Sequence, residues 1–248
     1  MSERIWDKFL TDRDKEFHEL KGFGALAGYG KRPALLIIDV NYAFCGDKRE
    51  SIFESVKRWP TSCGEEAWDA LPVLRRVIDA ARAQGVPVIY TTGVSRDDKW
   101  DMGSWRWKSA KRAGDRASQP VQRISNRDGN EIMEQIAPGP RDIVVPKQKP
   151  SGFHGTNLLD YLTMLGCDSV IVGGTTTSGC VRGTVIDSFS YNLRTAVIED
   201  GCFDRSQFSH AANLFDMHAK YADVVSSDDA IAFIKSLPVN QYDLPPGT

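Results

Sequence analysis

The chain has 248 residues, of which 41% are hydrophobic and 26% are charged, and its formal net charge is −2. This balance is typical of a globular protein and gives no reason to expect a nucleic acid or an anionic membrane surface as a partner. No apolar run approaches the roughly 20 residues that span a bilayer, and the charged start, MSERIWDKFLTDRDKE, has no signal-peptide core. These features predict a cytoplasmic protein.

The first part of the chain divides into a polar extension and the start of a larger domain. Residues 2–20 space their apolar side chains as a partly amphipathic helix does. We therefore predict an N-terminal helical extension over residues 1–30 and one domain over residues 31–248. Ala34–Val40 reads ALLIIDV, a continuous apolar run typical of a strand buried on both faces of a parallel sheet. A charged loop rich in Trp and Pro follows it.

Strands and helices alternate through most of the remaining chain. Residues 93–130 are instead charged and rich in tryptophan without clear periodicity, which indicates a functional loop or a lid. Short links join the other elements, as in right-handed βαβ crossovers, so the predicted fold is a three-layer α/β/α domain with a six-stranded parallel, Rossmann-like sheet. Before a frayed tail, the predicted strands are Val86–Thr92, Asp142–Lys147, Asp168–Gly174, Arg194–Asp200 and Ala222–Ser227, and the predicted helices are Glu65–Gln84, Thr156–Leu165, 179–192, 206–220 and Asp228–Leu237.

Three chemically reactive side chains lie at the ends of predicted strands. Asp39 ends the first strand, Lys147 ends the third, and Cys180 lies in the turn after the fourth. The carboxyl ends of parallel strands meet at one edge of a sheet, where ligands bind, so we predict that the three side chains lie together. Each also has a structural interpretation: the aspartate as a loop cap, the lysine as a solvated side chain, and the cysteine as a small buried hydrophobe.

The other cysteines and the histidines lack such a setting. An odd number of singly spaced cysteines argues against a disulfide framework, and no histidine spacing suggests a zinc site. These residues are Cys45, Cys63, Cys167, Cys202, His18, His154, His210 and His218.

The turn GGTTTSGCVRGT, residues 173–184, has the glycine spacing of a phosphate-binding loop, GxxxxGK[ST], but carries Cys180 and Val181 where lysine and Ser or Thr belong. A thiol at a helix start meets unpaired N–H groups and the positive end of the helix dipole, and a nearby Lys147 would lower its pKa further. The same N–H groups can hold the oxyanion that forms when a thiolate attacks a carbonyl, while Asp39 accepts the thiol proton and passes it to a leaving amine. The turn therefore favours acyl transfer over phosphate binding.

Three motifs together resemble the isochorismatase-like cysteine hydrolase family over about residues 33–237. They are LLIIDV with its terminal aspartate, KQKPSGFHGTNL, which fits the family pattern KxxxSxFxGTxL, and GTTTSGC. The resemblance implies the isochorismatase-like hydrolase fold and a catalytic triad of Asp39, Lys147 and Cys180. It favours Lys147 over Lys149, because the family lysine stands four residues before the motif serine.

The resemblance also implies a backbone feature of the active site. The family has a cis peptide just before the motif threonine, which here joins Thr175 to Thr176. The backbone N–H groups of Thr176 and Cys180 would then form the oxyanion hole.

Within the family, the cysteine implies the amide-cleaving branch, because true isochorismatases lack it. The segment TTGVSRDDKWDMGSW has no histidine, unlike that of the metal-binding nicotinamidases, so the resemblance implies no metal and no other cofactor. DMGSW, GCVR and GCFDR resemble N-carbamoylsarcosine amidohydrolases, in which an arginine 25 residues after the nucleophile holds the substrate carboxylate. Arg205 stands at that spacing, with a surface ion pair to Asp204 or Glu199 as its structural alternative. Trp105 and Trp107 are predicted to wall the substrate pocket, unless they belong to the core or to an interface.

The predicted function is hydrolysis of the linear amide C–N bond of a small carboxylate-bearing carbamoyl compound. N-carbamoylsarcosine, giving sarcosine, ammonia and carbon dioxide, is the first candidate, and maleamate or another small amide acid is the alternative. A nucleotide-binding module and a catalytically silent assembly subunit are alternatives of other classes. Since relatives form homo-oligomers, often tetramers, the resemblance also implies a homo-oligomer that binds a small-molecule substrate.

Overall fold

A computed structural model describes residues 4–96, 98, 100–108 and 127–247, without the side chains of residues 106 and 107. Of the predicted loop over residues 93–130, residues 97, 99 and 109–126 lie outside this description. In the described part, six strands form one all-parallel sheet in the order β3-β2-β1-β4-β5-β6, with helices on both faces. The predicted three-layer α/β/α fold is therefore confirmed. The strands are β1 Pro33–Ile38, β2 Val88–Gly93, β3 Ile143–Lys147, β4 Ser169–Thr175, β5 Arg194–Phe203 and β6 Asp223–Val225.

Most of the longer helices lie in the crossovers between strands, where the sequence periodicity predicts them. The best match runs over Glu65–Gln84 and ends there because Gly85 adopts a left-handed φ of 72° that closes the last turn. Among the described residues, no helix is long and apolar enough to cross a membrane. The helices are α1 Asp12–Lys21, α2 Tyr42–Cys45, α3 Ile52–Arg58, α4 Glu65–Gln84, α5 Ser104–Lys108, α6 Leu158–Met164, α7 Arg182–Ser190, α8 Gln207–Lys220 and α9 Ser227–Ser236.

The sheet is buried on both faces because β1 sends alternate side chains into two hydrophobic clusters. Leu35 and Ile37 pack with α4 and α9, whereas Leu36 and Ile38 pack with α6, α7 and α8. Full burial of one such side chain contributes about 1.5–3 kcal/mol. The continuous apolar run therefore stabilises β1 in the middle of the sheet.

Several segments differ from the sequence prediction. The loop after β1 contains two short helices, α2 and α3, which its aperiodic sequence does not indicate. The N-terminal helix α1 is shorter than predicted and buries no residue because its sequence is highly polar; the extension is attached instead by Trp6, which is buried against Phe215. The tail is ordered rather than frayed, since Tyr242 is buried and donates a 2.8 Å hydrogen bond to the carbonyl oxygen of Pro33.

The strand order places a ligand crevice between β1 and β4. Strands β2 and β3 lie on one side of β1 within the sheet, and the chain then returns to form β4 on the other side of β1. Such a switch point leaves an open crevice outside the carboxyl ends of the two strands. Asp39 directly follows β1 and Cys180 follows β4, so the topology brings these distant residues to one place.

Candidate active site

Asp39 is held by the neighbouring strand β2. Its carboxylate is buried, and one oxygen accepts a 2.7 Å hydrogen bond from the Thr91 hydroxyl. Its backbone N–H donates to the Thr91 carbonyl oxygen at 3.1 Å. The φ of Asp39 is 52°, in the left-handed region, which costs a residue with a side chain about 1–2 kcal/mol. The surrounding contacts must therefore maintain this conformation.

Lys147 ends β3, and its ammonium reaches across β2 to the Asp39 carboxylate. Nζ lies 2.7 Å from Oδ2, and the two side chains are only 5% and 4% exposed. Nζ also donates to the carbonyl oxygen of Lys149 at 3.0 Å, so the second lysine contributes its backbone to this cluster. Burial is the largest effect and opposes the charge of Lys147, but Asp39 and Cys180 together outweigh it and raise the pKa of the ammonium. Lys147 and Asp39 form a buried ion pair.

Cys180 completes the cluster, because its thiol lies close enough to Asp39 and Lys147 to interact with both. The predicted lowering of the thiol pKa is wrong. Burial, and then the Asp39 carboxylate, raise the pKa of the thiol to about 12, and the opposing effect of the Lys147 ammonium is too small to compensate. The thiol is thus protonated at neutral pH, and it becomes a nucleophile only by passing its proton to a base. The carboxylate in contact with it can serve as that base.

The cysteine lies in a π-helical turn, Thr177–Val181, that leads into α7. The helical conformation therefore begins two residues before the predicted start at residue 179, and its first turn is wider than an α-helical turn. The N–H groups of Gly179 and Val181 both donate to the Thr176 carbonyl oxygen, at 2.9 and 3.2 Å. The peptide bond between Thr175 and Thr176 is cis, as the resemblance implies.

A hydroxyl and a glycine hold this turn against the rest of the fold. The Thr184 hydroxyl donates to the Cys180 carbonyl oxygen at 2.7 Å and accepts a 2.9 Å bond from the Gly152 N–H. This bridge joins the cysteine turn to the loop of the KxxxSxFxGTxL motif. Gly174 lets β4 approach β1 closely, since a Cβ there would lie 2.2 Å from the carbonyl oxygen of Ile38.

Several supporting residues escaped the sequence analysis. Thr91 bonds to Asp39, and the paired threonines at the end of VPVIYTT were the available signal, because a polar pair at a strand end faces the crevice. The Asp204 carboxylate accepts hydrogen bonds from the N–H and hydroxyl of Ser178, at 2.8 and 2.7 Å. His210 Nδ1 lies 2.7 Å from the Thr177 hydroxyl. No local pattern marks these last contacts, because they join segments that are distant in sequence.

A cavity of about 340 Å³ opens beside Asp39, Lys147 and Cys180. Trp105 lines it and is 41% exposed, which fits its predicted position at the pocket wall. The side chain of Trp107 lies outside the described residues. The cavity is large enough for a small organic acid and lies at the expected edge of the sheet.

Arg205 is not among the described residues that line this cavity. It is exposed, and its guanidinium donates to the carbonyl oxygen of Thr61 at 2.8 Å. The Thr61 hydroxyl in turn donates to the carbonyl oxygen of Ala43, which does line the cavity. Neither alternative ion pair is found in the described structure, since Arg205 donates to Asp204 through its backbone N–H and not through its guanidinium, and Glu199 pairs with another arginine.

Comparison with known proteins agrees with this architecture. The isochorismatase domain model matches residues 33–229. The chain therefore belongs to the isochorismatase family, and a solved isochorismatase-like hydrolase of Alkaliphilus metalliredigens has the same fold, with a TM-score of 0.63.

Three relatives show how far the similarity extends. An N-carbamoylsarcosine amidase of Arthrobacter sp. is 34% identical over 232 residues, covering 91% of this chain and 80% of that protein. A maleamate amidohydrolase of Pseudomonas putida is 30% identical over 219 residues, covering 87% and 92%. The crystal structure of an N-carbamoylsarcosine amidase from Thermoplasma acidophilum superimposes with a TM-score of 0.59 at 27% identity, covering 79% of this chain and 97% of that one.

Proposed function

We propose that this chain is a cysteine amidohydrolase that cleaves the linear amide C–N bond of a small carboxylate-bearing carbamoyl compound. N-carbamoylsarcosine is the first candidate substrate, with sarcosine, ammonia and carbon dioxide as products. The observation that carries the proposal is the contact between the Cys180 thiol and the buried Asp39–Lys147 ion pair beside a cavity. The 34% identity to an N-carbamoylsarcosine amidase supports the choice of substrate.

The proposed reaction begins with a proton transfer inside the cluster. Asp39 accepts the thiol proton, which converts a charged carboxylate and a neutral thiol into a neutral acid and a thiolate. The Lys147 ammonium lies beside both groups, so it stabilises the negative charge whichever atom carries it. This transfer explains how a thiol with a pKa of about 12 can act at neutral pH.

Attack on the substrate then forms a bond between Sγ and the carbamoyl carbon. The carbonyl oxygen becomes an oxyanion, and we assign its hydrogen-bond donors to the backbone N–H groups of Thr176 and Cys180. The protonated Asp39 gives its proton to the leaving nitrogen as the C–N bond breaks. Ammonia departs, and the carbamoyl carbon stays bound to sulfur as a thioester-like intermediate.

Water completes the cycle through the same carboxylate. Asp39 removes a proton from water, the resulting hydroxide attacks the acyl carbon, and the C–S bond breaks. The thiolate recovers its proton from Asp39. With N-carbamoylsarcosine the released product is a carbamate, which loses carbon dioxide to give sarcosine.

The substrate carboxylate needs a cation near the cavity. Arg205 remains our proposed binding residue, because only Thr61 separates its guanidinium from the cavity-lining Ala43. Lys149 is the second candidate, because it lines the cavity itself and is distinct from the ion-paired Lys147. Trp105 would pack against the apolar part of the substrate.

A maleamate-type amide acid is the second candidate substrate. The 30% identity to a maleamate amidohydrolase, over 87% of this chain and 92% of that protein, is the observation that favours it. The proposed chemistry is the same, because both substrates present a terminal –CO–NH2 group and a carboxylate.

Ammonia release from a substrate panel tests the proposal. The panel contains N-carbamoylsarcosine, other ureido acids, maleamate, biuret and nicotinamide. We expect the wild type to cleave a carboxylate-bearing member, and Cys180→Ser to lower its kcat/KM by about 10³-fold or more. Cys167→Ser, at a partly buried cysteine outside the cavity, is the matched control. Release from no member, or equal release by Cys180→Ser, would refute the proposed function.

The same panel identifies the carboxylate-binding residue. Arg205→Ala and Lys149→Ala are compared on the best substrate. Loss of a charge-assisted bond to the carboxylate should raise KM by about tenfold or more in one variant and much less in the other. If neither variant raises KM, both assignments are wrong.

A further inference from the structure

Asn41 lines the candidate active-site cavity but has no assigned role in the proposed chemistry. It stands two residues after Asp39 and is only 1% exposed. It also occupies the residue before α2, where an asparagine side chain usually accepts a hydrogen bond from the first turn of the helix. No such bond forms here. The carboxamide is therefore directed elsewhere.

The orientation of this carboxamide follows from counting protons. Asn41 Nδ2 donates to the Thr92 hydroxyl oxygen at 3.2 Å. The Thr92 hydroxyl donates its single hydrogen to the carbonyl oxygen of Asn130. The hydroxyl oxygen can then only accept from Asn41, so the amide nitrogen must face Thr92 and the amide oxygen must face away from it.

The amide oxygen is left without a donor among the described residues. Asn41 Oδ1 is buried and accepts no hydrogen bond from any described residue. Buried acceptors are nearly always satisfied in folded proteins, so an exception beside a reactive cysteine requires an explanation. A ligand that brings an N–H group into the cavity would supply the missing donor.

A second residue of the same cavity has the same deficit. One Asp101 carboxylate oxygen, Oδ2, accepts from the Arg96 N–H at 3.0 Å and from Gln148 Nε2 at 2.6 Å. The other, Oδ1, is buried and has no donor among the described residues. Asp101 lines the cavity together with Asn41. Two buried acceptors without donors indicate a ligand that is rich in N–H groups.

We propose that Asn41 is a specificity-determining residue whose Oδ1 accepts an N–H of the –NH2 group that the enzyme removes. This inference rests on the proposed function. An unsubstituted –CO–NH2 group carries two N–H donors, whereas the corresponding ester or acid carries none. Holding one N–H at Asn41, two residues from Asp39, orients the nitrogen for the proton that Asp39 delivers. The cavity would thereby select primary amides over esters of the same acid.

The test compares the best amide substrate of the wild type with its methyl ester, in which –OCH3 replaces –NH2. If the ester is cleaved, its kcat/KM is measured. If it is not cleaved, its competitive inhibition constant is measured instead. Asn41→Leu keeps the approximate volume of the side chain and removes the acceptor. We expect it to lower the amide-to-ester preference by about tenfold or more.

Two further variants separate this role from a structural one. Asn130→Leu removes a carboxamide from the same cavity wall but keeps the carbonyl oxygen that Thr92 uses; its amide-to-ester preference should stay within about threefold of the wild type. Thr92→Val removes the group that orients Asn41, so it should lower the preference, by less than Asn41→Leu.

The outcomes distinguish this inference from the proposed function. If the wild type releases ammonia through Cys180 but Asn41→Leu changes the measured constants of the amide and the ester by the same factor, the inference is wrong and the proposed function stands. An equal loss of preference in Asn130→Leu also overturns it, because the effect would then belong to the cavity wall in general. Absence of amide cleavage by the wild type overturns both.

Discussion

Cys180 and Cys63 lie on two sides of the same strand end and have similar thiols in different surroundings. Burial raises the pKa of each to about 12. Cys63 is fully buried, and its sulfur lies 3.6 Å from the Thr175 hydroxyl. Cys180 lines the cavity and contacts the Asp39–Lys147 ion pair. Thiol pKa alone therefore does not distinguish the proposed nucleophile from a buried structural cysteine.

The two cysteines differ in two respects: Cys180 has a nearby proton acceptor, Asp39, and it lines the cavity. A low resting pKa would keep Cys180 as a thiolate at all times, as in enzymes that activate cysteine with a cationic partner. Here burial and the Asp39 carboxylate keep the thiol protonated. In the proposed reaction, the same carboxylate that raises the pKa of the thiol would accept its proton when the substrate is attacked.

Apart from replacing Cys180 itself, removing the proposed proton acceptor should reduce activity most. Asp39→Asn leaves a side chain of the same shape that cannot take the thiol proton, so kcat/KM for the best amide substrate should fall by about 10³-fold. Steady-state ammonia release measures the loss. Thermal unfolding of the same sample confirms that the variant is folded. A fall of less than about tenfold would mean that another group accepts the proton.

Alkylation by iodoacetamide examines the resting thiol directly. Because the pKa of Cys180 lies near 12, the thiolate fraction, and so the labelling rate, should rise about tenfold per pH unit between pH 7 and 10 without a plateau. Peptide mass spectrometry follows each cysteine separately, and Cys63 should stay unlabelled in the folded protein because it is fully buried. A plateau below pH 8 would show a low-pKa thiolate and contradict the proposed proton transfer.

Asp39→Asn should change alkylation in the opposite direction to turnover. Removing the carboxylate removes an electrostatic effect that raises the thiol pKa, while Lys147 still lowers it. Labelling at pH 8 should therefore be about tenfold faster than in the wild type, even though hydrolysis is lost. Slower labelling would mean that the carboxylate does not control the charge of the thiol.

The smallest expected effect concerns the second cysteine. Cys63→Ala removes a buried sulfur and should lower the free energy of unfolding by about 1–2 kcal/mol. Amide turnover should stay within about threefold, because Thr175 keeps its 3.1 Å hydrogen bond to the carbonyl oxygen of Phe203. Chemical denaturation and ammonia release measure the two quantities. A large loss of turnover would place Cys63 in the function of the site.

The parts of the fold that were predictable depend on local patterns. Helix α4 matches its predicted bounds because its apolar positions repeat regularly and Gly85 ends it. Strand β1 was evident because seven consecutive residues suit a strand buried on both faces. The short helices α2 and α3 were missed, since a helix of one or two turns depends on the structure around it more than on its own sequence.

Local patterns in the sequence predicted the six strands and the longer helices in chain order, and the reactive residues at the strand ends, because periodicity and strand-end chemistry are local properties. The tertiary structure was needed to show that the thiol pKa rises rather than falls. It also places Lys147, the lysine that the family resemblance favours, against Asp39, and leaves Asn41 Oδ1 without a donor among the described residues. The physical reason is that burial and the distances between charged and polar groups depend on residues that are far apart in the chain and meet only when the sheet forms.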